Sequence, residues 1–362
     1  MDRAKNDKSL NLNHDSVHTM LPSRTFALVR AEMLNGVEPA ACTRCYDTER
    51  SGLQSKREYE IESHFVRNEV FDTELLEPTF VELRLGNLCN LQCVTCNPVS
   101  SRLLSKTFDQ MTEIQFVDKA FINMKIDDSW TENHLFWDDL LSERDHLQKF
   151  YINGGEPTLI AQHWRFLAKL IELDAAKNIE LRYNINVTNM KQEYIDTWKQ
   201  FKLVSVGCSI DDLTDRNHFI RYPASWPILM KNLNMLIEQG ITVEITQTIS
   251  IMNVYYLDEF CKFFGDMNIP IALNYVHDPS YLSIFNMPVG IKNKIITKLE
   301  PTLAPHYMNN LRTSIDVARE NITEFNNGIT YLHKVARLRN LNLLGTFPEL
   351  FKLIDDENNK NT

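Results

Sequence analysis

From about residue 80 onward, short β-branched and apolar runs alternate with longer stretches of helical periodicity. The runs Phe80–Leu85, Lys149–Asn153, Ile179–Val187, Leu203–Ile210, Ile241–Ser250 and Ile271–Val276 predict strands. Between them, Leu159, Leu167, Leu170 and Ile171 recur at helical spacing, as do Ile228, Leu233, Leu236 and Ile237 before Gly240. Strands separated by helices read as βα units and a parallel sheet, open or curled into a barrel. Only the interval between the first two strands is long. Residues 108–147, with Trp130, Phe136, Trp137, Asp138 and Asp139, therefore form an insertion beside the first unit, a packed helical decoration or a lid. After Val276 the pattern is helical to Leu353. Roughly the first 20 residues and the tail from Asp355 to Lys360 are polar and expected to be loose. The expected division is an N-terminal extension (1–78), a core (79–285) and a C-terminal helical extension with a disordered tail (286–362).

Composition fits this organisation. With 362 residues, 43% hydrophobic and 24% charged, the chain reads as globular and large enough for two domains. The 38 basic and 48 acidic side chains give a net charge of −10, which argues against binding nucleic acid mainly by neutralising phosphates. A nucleotide or a local basic groove is still compatible. The start, Met1-Asp2-Arg3-Ala4-Lys5, carries no secretory signal, and no window approaches the ~18 apolar residues of a membrane span. The expected setting is cytoplasmic and reducing, where clustered cysteines serve as metal ligands or catalysts rather than disulfides.

Ligands of parallel βα folds gather at the carboxyl ends of the strands. After the first strand, Cys89, Cys93 and Cys96 stand in a CxxxCxxC spacing within one short loop. Three thiolates this close can converge on one inorganic centre. A structural zinc wants four ligands, and no fourth Cys or His lies nearby. An iron–sulfur cluster is also usually held by four thiolates, so three would leave one iron open to a substrate or cosubstrate. A zinc site completed from a distance and simply buried cysteines are the competing readings. After the second strand, Asn153-Gly154-Gly155-Glu156-Pro157 joins two of only 11 glycines, where backbone must approach a ligand or take φ > 0. Glu156 offers a carboxylate suited to an ammonium group.

CxxxCxxC followed by Gly-Gly-Glu-Pro resembles the radical SAM superfamily. Val187-Thr188-Asn189 is similar to the family's T-N-G segment, with Met190 in the Gly place, and Ser209-Ile210-Asp211-Asp212 to its S-x-D-G segment, with Asp212 in the Gly place. Three stretches resemble the uncharacterised twitch domain-containing radical SAM proteins. They are Cys42, Cys45, Glu49, Gly52, Ser55 and Arg57; Phe219 to Pro223 with Trp226; and Tyr281 to Ile284 with Pro288.

The resemblance implies an α/β fold, a partial (β/α)6 TIM-like barrel, with a 4Fe-4S cluster on Cys89, Cys93 and Cys96. It also implies S-adenosylmethionine as cofactor, cleaved reductively to a 5′-deoxyadenosyl radical that abstracts a substrate hydrogen. By position, Gly154, Gly155 and Glu156 would meet the methionine ammonium, and Ser209 and Asp211 the ribose hydroxyls. Asn189 would meet ribose or carboxylate. Arg221 would fork onto the methionine carboxylate or form a structural ion pair with Asp211 or Asp212. Asn87 and Asn90 would tune the cluster by hydrogen bonds. Cys208 and Cys261 read as core residues, and the Cys42–Cys45 pair as structural, with a second cluster, a zinc site or a redox pair as alternatives. The expected substrate is a peptide or protein side chain, with a nucleoside or nucleic-acid base as the alternative. A zinc-stapled binding module without catalysis is the reading from another class. Electrons would come from a flavodoxin or ferredoxin partner.

Overall fold

A computed structural model describes residues 10–50, 54–66, 77–124, 129–315 and 319–359. The chain forms two compact units, one of residues 1–79 with 129–147 and the other of residues 80–128 with 148–362.

The larger unit is built on six strands: β1 (Phe80–Arg84), β2 (Lys149–Asn153), β3 (Glu180–Ile185), β4 (Leu203–Ser209), β5 (Thr242–Ile249) and β6 (Ile271–Tyr275). All neighbouring pairs are parallel and the strands lie in chain order, giving an open sheet consistent with a partial TIM-like barrel. Each observed strand starts within a residue of the apolar run that predicts it.

One face of the sheet is apolar. Leu83, Phe150, Ile152, Leu181, Tyr183, Ile185, Val206, Cys208 and Ile245 are buried there. Helices Ala161–Glu172, Gln192–Trp198, Trp226–Glu238 and Leu257–Asp266 cover the unit with their own buried stripes, Phe166, Leu167 and Leu170 in the first, and Leu257, Phe260, Cys261 and Phe264 in the last. Aromatic pairs join the layers: Phe150 with Phe166 (5.5 Å) and Tyr183 with Trp198 (4.9 Å). The other face alternates with the first and is polar. Register sets Glu82 beside Tyr151, Tyr151 beside Arg182, Arg182 beside Ser205 and Gly207 beside Glu244. A parallel sheet buried on both faces would read as continuous hydrophobic runs. Here the period-2 alternation marks one face as the lining of a polar hollow.

The turn after β2 packs directly on the loop after β1. Gly154 has φ +131°, and a Cβ there would come within 2.6 Å of Leu85 N. A Cβ on Gly155 would lie 2.4 Å from Leu88 O. Close approach is thus required, but the partner is the cysteine-bearing loop itself. Beyond β6, helix Ile322–Arg339 buries Phe325, Tyr331, Leu332, Val335 and Ala336. The last helix, Pro348–Asn358, runs on past Leu353 through the segment expected to be loose. An ion pair between Glu357 and Lys294 (2.8 Å) ties it down. Residues 360–362, part of the tail expected to be disordered, lie outside the described residues.

In the smaller unit, helix His134–Ser142 carries Phe136 and Trp137, which meet Trp130 at 5.2 and 5.9 Å. His18 pairs with Glu143 (2.6 Å), joining the N-terminal segment to that helix. Among the described residues no helix is long and apolar enough to cross a membrane.

Two substitutions test this packing. Phe150→Ala removes a fully buried ring and should cost about 3–5 kcal/mol in urea unfolding; a loss under about 1 kcal/mol would contradict its place in the core. Gly155→Ala should cost about 1–3 kcal/mol by overpacking and speed thiol labelling of the adjacent loop, and unchanged stability and labelling would refute the contact.

Candidate functional site

The loop from Leu85 to Cys96 has almost no regular structure of its own, so its backbone groups need partners elsewhere. Leu85 N donates to Asn153 O (2.9 Å), Gly155 N to Gly86 O (2.9 Å) and Glu156 N to Leu88 O (2.8 Å). From the far side, Gln92 N donates to Tyr222 O (2.6 Å) and Val94 N to Ile220 O (2.7 Å). The segment Phe219–Pro223 thus works as a clamp on the loop.

Cys89, Cys93 and Cys96 are free thiols, each partly exposed as a residue. Burial pushes Cys89 up to about 11 and raises Cys93 and Cys96 as well; Cys96 acts electrostatically on both of the others, and Cys89 on Cys93. The Arg221 guanidinium favours the thiolate at all three. Leu91 N donates to Cys89 Sγ (3.4 Å). The thiols are not gathered tightly enough to share one ion: among the described residues no trio of His, Cys, Asp or Glu has that geometry. A cubane asks less, because each thiolate binds a different iron. Three free thiols on one pinned loop, each favoured as a thiolate by the same guanidinium, fit such a cluster.

Glu156 is 1% exposed and lies across the ends of β2 and β3. Its carboxylate accepts from Asn186 N (2.7 Å), Thr158 Oγ1 (2.7 Å) and Thr158 N (3.2 Å). Burial raises its pKa, against those hydrogen bonds and the charge of Arg221. Asn186 goes on to donate through Nδ2 to Asn90 Oδ1 (2.7 Å), and Asn90 Nδ2 donates to Thr188 Oγ1 (2.8 Å). Asn87 Nδ2 donates to Pro98 O (3.1 Å). These asparagine bonds hold the loop in place, and the Leu91 backbone supplies a hydrogen bond to sulfur. Asn189 donates to Thr158 Oγ1 (3.3 Å) at the edge of this network. Val187, in the same strand end, takes φ +59°, a conformation a β-branched residue resists at about 1–3 kcal/mol. Asn232 Nδ2 fixes it by donating to Val187 O (2.8 Å).

Ser209 ends β4, half-buried, with its hydroxyl 3.5 Å from Thr246 Oγ1. β4 ends there, so strand alternation no longer fixes the direction of Asp211. Asp211 is fully buried, accepts from Thr248 N (2.8 Å) and pairs with Arg221 (2.8 Å). Of the two roles expected for Arg221, the structure contains the ion pair with Asp211. Burial opposes the Arg221 charge, but Asp211 and the nearby thiols outweigh it and raise its pKa. Asp212 pairs instead with Arg216 (2.9 Å).

A cavity of about 160 Å³ opens beside Cys96. Phe108, Phe116, Phe121 and Tyr281 give it aromatic walls, and Asp118, Asp278 and Glu324 give it an acidic character. Sequence reasoning missed this cavity and the Asn186 bridge; Arg339, which read as a solvated helix face or an anionic contact, donates through Nη2 to Gln92 O (2.5 Å). The Asn-rich loop and strand end were the only hint.

In the smaller unit, Cys42 and Cys45 are partly exposed free thiols at the start of helix Thr43–Arg50. Beside them, Glu49 accepts from Ser55 Oγ (2.5 Å) and Arg57 Nη2 (2.6 Å), and Arg57 lies over the Tyr46 ring. Gly52 lies outside the described residues.

No curated protein matches the chain significantly by sequence. Among solved structures, native anSMEcpe with bound AdoMet is similar at 19% identity and TM-score 0.44, over 64% of this chain and 62% of that one. *Streptococcus suis* SuiB bound to S-adenosylmethionine is similar at 14% identity and TM-score 0.43, over 80% and 60%. The chain thus spans about three fifths of the length of these structures. The three thiols after β1, the Gly-Gly turn after β2 and strands β2 to β5 all fall within residues 83–267, the stretch matched by the model of the Radical SAM superfamily, and the chain belongs to that superfamily of enzymes.

Proposed function

We propose that the chain holds a 4Fe-4S cluster on Cys89, Cys93 and Cys96, binds S-adenosylmethionine beside it, and abstracts hydrogen from a peptide or protein side chain. The observation that carries this reading is the loop itself: three free thiols, held by backbone bonds from two other segments, beside the Arg221 guanidinium that favours their thiolates. Held by Cys89, Cys93 and Cys96, such a cluster would supply the electron for reductive cleavage of S-adenosylmethionine, the source of the 5′-deoxyadenosyl radical for hydrogen abstraction.

The chain's residues have separate tasks in this reading. Gly154 and Gly155 let the second strand end sit on the cysteine loop, and Glu156 brings a buried negative charge next to Cys89 for the methionine ammonium. Ser209 and Asn189, at neighbouring strand ends, offer hydroxyl and amide groups to ribose or carboxylate. Asp211 and Arg221 act as one unit because they are already paired. Within the superfamily, we place the chain with the twitch domain-containing proteins, on the strength of the three stretches that resemble theirs. One of these is the clamp on the cysteine loop, and another includes Tyr281 of the cavity wall.

The cavity favours a peptide over a nucleic acid. Asp118, Asp278 and Glu324 around the space beside Cys96 would repel phosphates. A cytoplasmic setting with a flavodoxin or ferredoxin reductant completes the proposal.

Anaerobic reconstitution with iron and sulfide should load about four irons per chain, and dithionite with S-adenosylmethionine should then yield 5′-deoxyadenosine. Cys93→Ala should abolish both the visible absorbance and the product. A single zinc without iron in anaerobically purified protein would support the binding-module reading instead, and a fully loaded cluster that forms no 5′-deoxyadenosine would defeat the proposed chemistry.

A further inference from the structure

Two guanidinium groups interact with Cys93, Arg221 by favouring its thiolate and Arg339 by being acted on by it, and they differ in one respect. Arg221 has Asp211 at 2.8 Å. Arg339, at the end of helix Ile322–Arg339, has no carboxylate among the groups that act on it: these are Tyr331, Cys93 and Tyr222. Its Nη2 donates to Gln92 O (2.5 Å) and its guanidinium stands over the Tyr222 ring at 5.1 Å. Its Nε and Nη1 are buried and have no hydrogen-bond partner among the described residues. The same helix reaches the loop a second time, where Tyr331 Oη donates to Val94 O (3.4 Å). A buried cation without a counter-charge is costly unless something else supplies the charge. Of the three groups that face Arg339, Cys93 is the one that becomes an anion on taking iron.

From this juxtaposition we infer that Arg339 is the counter-charge of the loaded cysteine loop, a positioning residue that the C-terminal helix delivers to Cys93 and that sets the reduction potential of the cluster. The inference rests on the reading of the loop as a 4Fe-4S site. Reduction adds a negative charge to the centre, and a nearby fixed cation stabilises that state. Arg221 contributes less to this effect because Asp211 offsets its charge. The C-terminal extension would then belong to the redox chemistry as well as to the fold.

The test is an EPR-monitored potentiometric titration of the full-length, anaerobically reconstituted protein, with Arg339→Gln and Arg339→Lys as variants. Gln keeps a donor for Gln92 O and loses the charge; Lys keeps the charge. Arg339→Gln should lower the reduced-to-oxidised ratio at fixed potential by roughly tenfold, which is 59 mV for one electron, and Arg339→Lys should stay close to wild type. Melting of the unloaded proteins separates charge from packing. Unloaded Arg339→Gln should melt no lower than wild type, and the loss should appear only after loading. If the Gln variant takes no iron while its unloaded melting is unchanged and the Lys variant loads, the charge requirement is supported. If wild type and Arg339→Gln titrate together, or the unloaded Gln variant loses as much stability as the loaded one, the role of Arg339 is overturned while the loop reading stands. If wild type takes no iron, both fall.

Discussion

Everything in the candidate site depends on how a loop without regular structure satisfies its backbone. Residues Leu85 to Cys96 take hydrogen bonds from the end of β2 on one side and from Ile220 and Tyr222 on the other. Buried peptide groups that lack partners are expensive, so this two-sided fit is a condition of the loop's shape. It also explains why bulk is excluded from Gly154 and Gly155: side chains there would separate the two strand ends and break the bonds to Gly86 and Leu88. The positions of three thiols thus follow from contacts made by residues that have no chemistry of their own.

Around this frame, charge is distributed unevenly. Glu156 and Asp211 are buried carboxylates, one held by a ring of N–H and O–H donors and the other by a cation. A shared asparagine bridge, Asn90 to Asn186, joins the loop to the third strand end, which already carries the strained Val187. Strain of this kind persists where the surroundings determine the backbone from several directions, and it tends to collect at functional sites.

Much of this was legible in the amino-acid order. The strands announced themselves because short β-branched runs bounded by helical periods admit few other arrangements, and the cysteine spacing with Gly-Gly-Glu-Pro identified the family. What sequence could not give were pairings between distant segments. The order of residues left Arg221 free to pair with Asp211 or Asp212, and only the folded chain shows that it claims Asp211. Asn87 and Asn90 sat beside the cysteines in sequence, yet their amides turn to Pro98 and Thr188. Arg339 stands 247 residues from its partner Gln92, beyond any local pattern. The acidic segment at the end looked unstructured because charge alone does not reveal that Lys294 waits for Glu357.

The division of the chain has a consequence for how the enzyme can be taken apart. One unit gathers residues 1–79 and 129–147, and the rest of the chain lies in the other. The polypeptide therefore crosses between units three times, and the fragment carrying Trp130, Phe136 and Trp137 is threaded into the sequence of its neighbour. A single protease cut or deletion boundary near residue 79 would not release a module. It would split the ionic contact of His18 with Glu143 and leave the aromatic cluster of Trp130, Phe136 and Trp137 on the other fragment. The smaller unit is in this sense not an appendage but a discontinuous domain, inherited or lost as a pair of segments.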